Sequence, residues 1–299
     1  MARRFFHLLI TVCIIVFTIL PSHSAYAAEN KNYDTKYAVN GKSFEQIISE
    51  TVKELGYNTD NVSIAYYDFL NEEHHYLNEW QPMLAASTSK VGTAALYTNL
   101  ISDGYLTSDT QIPYNEALFE EGGGNITNGD IQASYPISDL IYEMLHNSDN
   151  TAWNLLTDYY YRNFGNYHED LLLFSGADID DMSLYEFNMV NARVLEGILI
   201  RVGSSKIYDD IVDIMMDSQE DWLMKRYVNE NMAAKYGHLD AYFHDIGLFY
   251  QNGQPAYALV IMTNDLSLDA AGVESEFFGL INFRINKWFQ QKHPMTARQ

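Results

Sequence analysis

One cysteine, Cys13, stands in 299 residues, inside the apolar run from Phe5 to Leu20. The rest of the chain therefore offers neither a disulfide nor a Cys-ligated metal. Cations are also scarce: 18 lysines and arginines face 40 aspartates and glutamates, for a formal net charge of −22. A surface of that sign repels phosphate backbones and anionic lipid, so neither nucleic acid nor a membrane surface is expected as a partner. Past Leu20 no apolar run is long enough to cross a bilayer, and no internal repeat or low-complexity tract appears. Apolar residues, at 47%, are plentiful enough to build a full core without disulfides.

Arg3 and Arg4, the apolar stretch to Leu20, and Ala25-Tyr26-Ala27 predict a secretory signal over residues 1–27, cut after Ala27. An uncleaved N-terminal anchor is the competing reading. Lipid attachment at Cys13 is not expected, because Val12 stands where that signal needs a small residue. A polar leader over 28–42 follows, and the mature protein is expected to be extracytoplasmic and monomeric, free of the membrane.

From residue 43 the pattern becomes regular. Phe44, Ile47, Ile48, Val52 and Leu55 recur at helical spacing ahead of Gly56. Val62 to Phe69 alternates and is rich in β-formers, and Asn71-Glu72-Glu73 turns it into His74-His75-Tyr76-Leu77, which predicts a hairpin. Helical patterns fill the middle, where no clear strand is read. Three strand-like runs come last, Ala233 to Gly237, His244 to Tyr250 and Ala256 to Thr263. A closing amphipathic helix from about Ala271 to Phe289 has Phe277, Phe278, Ile281, Ile285 and Trp288 on its buried side. The order predicts an α+β domain over 43–290. It comprises one five-stranded antiparallel sheet flanked by the N- and C-terminal helices, an all-helical lobe inserted over about 100–230, and a mobile polar tail at 291–299.

The chemistry gathers at Ala86-Ser87-Thr88-Ser89-Lys90. Serine and lysine three apart share a helix face, which lets the amine reach the hydroxyl. In the first turn of a helix, unpaired N–H groups and the dipole favour an oxyanion at Ser87. Alone, S-x-x-K is far more often ordinary helix surface than a nucleophile. Two later segments give it weight: Ser148-Asp149-Asn150 between two helices, and Lys235-Tyr236-Gly237 on the first late strand.

In this order the segments resemble those of the penicillin-recognising serine hydrolases, and are most similar to the S-x-x-K, S-D-N and K-T-G set of class A β-lactamases. The resemblance runs from Phe44 to near Trp288, with support from Glu121-Gly122-Gly123 and from Thr151-Ala152-Trp153-Asn154-Leu155-Leu156. It implies a β-lactamase/transpeptidase-like fold, with Ser87 the acylated nucleophile and Lys90 its activating neighbour. Ser148 would pass a proton to the leaving nitrogen, Asn150 would hold the substrate's amide side chain, and Lys235 would attract its carboxylate. The backbone N–H groups of Ser87 and of His238, after Gly237, would form the oxyanion hole. These roles match what attack on an amide carbonyl requires. A basic lysine needs a lowered pKa, to which the nearby Lys235 cation contributes. An anionic substrate fits a cationic pocket, and no metal or cofactor is implied.

Two departures from that pattern matter. Tyr236 replaces a small hydroxyl residue, and either points into the sheet's packing or crowds the pocket against ordinary penicillins. His238 and His244 are read as replacement donors or, more simply, as sheet-edge histidines without a special role. The second departure is a shortened interval between Ser148 and Lys235, where class A β-lactamases carry an Ω loop with an E-x-x-L-N signature. Matching Leu184-Tyr185-Glu186-Phe187-Asn188 to it puts Leu184 where the deacylating glutamate belongs. Glu186 is left as a possible deacylation base, its simpler reading being a solvated carboxylate.

The expectation is an exported serine hydrolase that forms an acyl-enzyme with D-alanyl-D-alanine-type peptides of the cell wall or with β-lactams, and deacylates slowly. A working β-lactamase is the alternative. A non-catalytic penicillin-binding module is the further one, and it has no reason to keep Ser87, Lys90, Ser148, Asn150 and Lys235 together. A membrane-spanning sensor lacks the segments it would need. His74-His75 has no third ligand at metal spacing, and Asp178, Asp180 and Asp181 lack a calcium loop's glycine and distal glutamate, so both are read as solvated surface. Tyr159-Tyr160-Tyr161 is read as helix packing.

Overall fold

The computed structural model describes residues 37–178, 180–268 and 272–294. The chain divides into two compact units, Met1–Ala38 and Val39–Gln299, and the fold is that of the second. The signal over 1–27, Cys13, most of the polar leader and the tail past 294 lie outside the described residues.

Helix α1 (Phe44–Glu54) starts where Ser43 and Gln46 satisfy each other's backbone N–H groups in a capping box. Strands β1 (Val62–Asp68) and β2 (Glu73–Leu77) form the expected hairpin, and the two-residue β3 (Met83–Leu84) leads to a 3-10 turn at Ala86–Ser89 and helix α2 (Lys90–Ser102). The inserted region holds β4 (Gln111–Pro113), α3 (Asn125–Asn128), β5 (Ser134–Pro136), α4 (Ile137–His146), α5 (Asn150–Asn163) and α6 (Tyr167–Ser175). It continues through β6 (Met189–Val190), α7 (Ala192–Ser204) and α8 (Asp209–Asp217). Strands β7 (Met232–Leu239), β8 (Tyr242–Gln251) and β9 (Gln254–Asn264) and helix α9 (Val273–Lys292) complete the domain.

The five long strands form one antiparallel sheet in the order β2-β1-β9-β8-β7. Alternation along them divides the core in two. Val62, Ile64, Tyr66, Leu259 and Ile261 face α1 and α9, where they meet Phe44, Phe277, Phe278 and Ile285. Ala65, Ala233, Ile246, Val260 and Met262 face the inserted helices. Each fully buried large side chain contributes roughly 1.5–3 kcal/mol. Arg284 ties the two outer helices, donating to Thr51 Oγ1 at 2.7 Å and to Glu54 at 2.6 Å.

Three expectations need correction. The middle is not free of strands: β4 pairs with β5, and β3 with β6. These pairs are two or three residues long, too short to leave an alternation in the sequence, and depend on loops docking together. The boundaries also tighten. Val39 is already buried, α9 continues to Lys292, and His293 Nε2 contacts Asp68 at 2.7 Å, so the tail is anchored as far as His293. Finally, His75 is packed rather than solvated, whereas His74 stays exposed and still reaches a buried carboxylate. His74 Nδ1 lies 3.0 Å from the buried Glu196, and His75 stacks on Phe44.

Candidate active site

Ser87 lies on the 3-10 turn, three residues before α2 begins at Lys90, not within the α-helix proper. Its backbone is fixed from both sides. The Ala85 N–H donates to Asn188 O at 2.8 Å, and both the N–H and the hydroxyl of Thr88 donate to Ala85 O. The edge strand β7 presses against the turn at Gly237, where a Cβ would stand 2.8 Å from both Ser87 N and Ala85 O. Only glycine permits that approach. The Tyr236 N–H points away from β8, to Gln219 Oε1 at 2.7 Å. By the alternation of an antiparallel ladder, the His238 N–H faces the same open edge, toward the turn.

Lys90 comes from a helix buried all along its first eight residues, and is itself only 1% exposed. Burial holds its amine well below the usual lysine range, and the Lys235 charge pushes the same way. Its Nζ donates to Ser148 O and Asn150 Oδ1, both at 2.8 Å, with Ser148 Oγ farther off at 3.4 Å. A neutral amine has two hydrogens for the two nearer oxygens and a lone pair left for a hydroxyl proton. The sequence led us to expect a direct partnership with Ser87; instead, the amine's hydrogen bonds run to the second motif.

That motif is held by Asp149. Its fully buried carboxylate accepts from the N–H groups of Ala152, Ile126 and Thr127 and from the Thr127 hydroxyl, at 2.8–3.0 Å. The glycine run wraps around it: Gly124 has φ +87°, and a Cβ there would lie 2.3 Å from Asp149 Oδ2. Asn150 Nδ2 donates to Glu121 O at 2.9 Å. Ala86, Ser148 and Asn188 adopt φ values of +48°, +58° and +60°. For L-residues that conformation costs about 1–2 kcal/mol each, and it persists here because the surrounding hydrogen bonds leave no alternative.

Lys235 is almost fully buried, and burial lowers its pKa to about 7 against the opposing charge of Asp245. Burial raises the Asp245 carboxyl to about 7, opposed by the Met224 N–H, Gln219 and the two lysines Lys235 and Lys225. The site is thus less cationic than Lys90 and Lys235 together suggest. Tyr236 turns toward the sheet's packing, edge-on to Trp222 at 4.8 Å, with the Lys235 ammonium 4.5 Å from its ring centre. Burial raises its phenol pKa, which the neighbouring Ser148 hydroxyl opposes. His238 is exposed and stacked on Phe243. His244 is not at a sheet edge but fully buried. Its Nε2 donates to Leu84 O at 2.7 Å and its Nδ1 accepts from Thr263 N–H at 3.1 Å, a neutral tautomer that burial protects by lowering its pKa to about 4.

Ser87, Lys90 and Asn150 share one pocket of about 110 Å³. Trp153 and His238 form part of its wall, and so do two residues with no role in the sequence reading, Asn188 as a site residue and Glu120. Asn188 Oδ1 is buried with no hydrogen-bond partner among the described residues. Ser148, Lys235, Tyr236 and Gly237 are not part of this lining, and neither is the exposed Glu186. Leu184 is fully buried, its carbonyl accepting from His168 Nε2 at 2.7 Å. Asn188 was legible as the last residue of the loop signature; Glu120 left no signal beyond its place next to the glycine run. Among the described residues no group of three or more His, Cys, Asp or Glu is placed to hold a metal ion, and no helix is long and apolar enough to cross a membrane.

A family model described as the beta-lactamase enzyme family matches residues 43–282. No curated protein matches the sequence. Among solved structures, the chain is similar to PBP-A, with 17% identity, a TM-score of 0.68, and coverage of 82% of this chain and 96% of that one. A mutant of PBP-A in acyl-enzyme complex with penicillin G matches with 17% identity and a TM-score of 0.69 over the same shares. A beta-lactamase from Sphaerobacter thermophilus DSM 20745 matches at 17% identity and a TM-score of 0.68, covering 85% of this chain and 99% of its own. At these identities the likeness is one of fold.

Proposed function

Starting from the chain's membership of the beta-lactamase enzyme family, we propose that it is an exported serine hydrolase that forms an acyl-enzyme on Ser87 with D-alanyl-D-alanine-type peptides or β-lactams and releases the acyl group slowly. Neutral Lys90 takes the Ser87 hydroxyl proton as Oγ bonds to the carbonyl carbon. The backbone N–H groups of Ser87 and His238 receive the developing oxyanion. As the carbon–nitrogen bond breaks, the Ser148 hydroxyl gives its proton to the departing nitrogen and regains one from Lys90, to which it is joined. Asn150 holds the donor's side-chain amide, and Lys235, partly charged near neutrality, draws its carboxylate. The observation that carries this reading is the buried Lys90 amine, held below its usual pKa and shared with Ser148 and Asn150 in the pocket of Ser87.

Slow release is supported by what stands in the loop. Leu184 is apolar and buried at the position where the family's glutamate is expected, and Glu186 faces solvent. Asn188 offers an acceptor for a water but cannot take its proton. The test is an intact-mass time course with a reporter penicillin, alongside the absorbance of a chromogenic cephalosporin. The expected result is an adduct on Ser87 that lasts for minutes or longer with little turnover. Rapid turnover without a lasting adduct would instead support the β-lactamase alternative. The Leu184→Glu variant is expected to shorten the adduct's lifetime at least tenfold, since an apolar site keeps a carboxyl basic near neutrality and a placed base contributes about 10²–10⁴. A lifetime unchanged in a folded variant would show that this position does not limit release.

A further inference from the structure

We propose that Glu120 makes the Ser87 pocket selective for acyl donors that carry an ammonium group next to their side-chain amide. Glu120 is the carboxylate among the residues that line this pocket. On a chain with 40 acidic residues an exposed carboxylate is commonplace, but this one is held in place. Its Oε2 accepts from Asn154 Nδ2 at 2.9 Å, and its own N–H donates to Thr151 Oγ1 at 3.1 Å. Both partners lie on α5, the helix that opens with Asn150. The next carbonyl along, Glu121 O, accepts from Asn150 Nδ2. Glu120 and Asn150 therefore stand on one wall, fixed to the same helix turn. The Glu120 charge is also felt at Lys90, whose ammonium form it favours.

The consequence rests on the reading that Asn150 holds the donor's side-chain amide. With the amide there, the substituent on the carbon beyond it passes Glu120. An ammonium at that carbon gains a counter-charge, and a carboxylate meets repulsion. The chemical class this selects is an acyl group bearing a free amine close to its amide, such as a D-alanyl peptide whose preceding residue is amino-substituted.

Benzylpenicillin, ampicillin and carbenicillin test this directly, because they differ by hydrogen, ammonium and carboxylate on that one carbon. Second-order rates of adduct formation would be measured by stopped flow at pH 6.5 and low ionic strength. Ampicillin is expected to react about threefold faster than benzylpenicillin, the scale of a partly exposed ion pair, and carbenicillin slower by a similar factor. Added salt would compress the spread. Glu120→Gln should bring the three rates together, and Glu120→Lys should reverse their order. The readout is the ratio of rates, so changes in Lys90 basicity or in folding act on all three compounds alike and cancel. Ratios left untouched by Glu120→Gln would overturn the inference, as would a Glu120→Gln protein whose only change is slower release of the adduct. No adduct with any of the three in the unaltered protein would overturn the acyl-enzyme reading, and this inference with it.

Discussion

A Ser87→Ala protein is expected to form no covalent adduct with any penicillin and to lose all acyl-transfer activity, while melting within a few degrees of the unaltered protein. The hydrogen bonds that hold its turn come from Ala85 N–H, from the N–H and hydroxyl of Thr88, and from the Ser89 hydroxyl. The Ser87 side chain is half-buried beside the pocket, and its loss opens no sealed cavity. Surface-like truncations of this kind usually change stability by about 0.5 kcal/mol or less. Without the hydroxyl no other group in the pocket combines a nucleophile with a neighbouring base, so the effect on chemistry is complete while the effect on folding is small. Intact mass after incubation with penicillin, together with a thermal melt, reads both. An adduct retained on the variant would place the nucleophile elsewhere and discard the mechanism above.

Lys90→Met should lower the rate of acylation by about 10²–10⁴, the contribution of a positioned general base, while Ser87 stays acylatable. Methionine fills a similar volume in a helix buried on all sides. It leaves Ser148 O and Asn150 Oδ1 without their donor, a cost of about 1–3 kcal/mol for each unpaired group, partly offset because no amine is buried. The pH profile separates a base from a structural role. Lys90 acts when neutral, so acylation by the unaltered protein falls as pH drops through the Lys90 pKa. Burial and Lys235 place that limb below the ordinary lysine pKa. In Lys90→Met the limb should vanish, leaving a low and flatter rate. A variant with a uniformly reduced rate but the same limb would assign the proton transfer to another group.

Both predictions depend on how the site is assembled rather than on the motifs alone. Ala86, Ser148 and Asn188 come from three separate segments, and each holds a left-handed backbone at or beside the pocket. Asp149, Gly124 and the Asn188 carbonyl, through their contacts, hold two of these segments in conformations that isolated peptides would not keep. The arrangement is fixed before a donor arrives, which is the condition for a hydrogen-bonding site to favour a transition state.

Composition, periodicity and motif order were sufficient for the five-stranded sheet and the helices that flank it. The hairpin at 62–77, the three late strands and the helices at both ends carry their own alternation or helical spacing, because each buries one face against a common core. Ser87, Lys90, Ser148, Asn150 and Lys235 were legible for a different reason: each sits inside a short local pattern. Packing decided the rest. That His244 is buried and neutral, that Tyr236 turns to Trp222, that Lys90 bonds to Ser148 and Asn150, and that Glu120 and Asn188 reach the pocket all depend on contacts between segments far apart in the chain. The sequence determines which faces must be hidden. The charge a buried lysine carries, and which carboxylate lines the serine's pocket, depend on desolvation and distance, which only the folded chain sets.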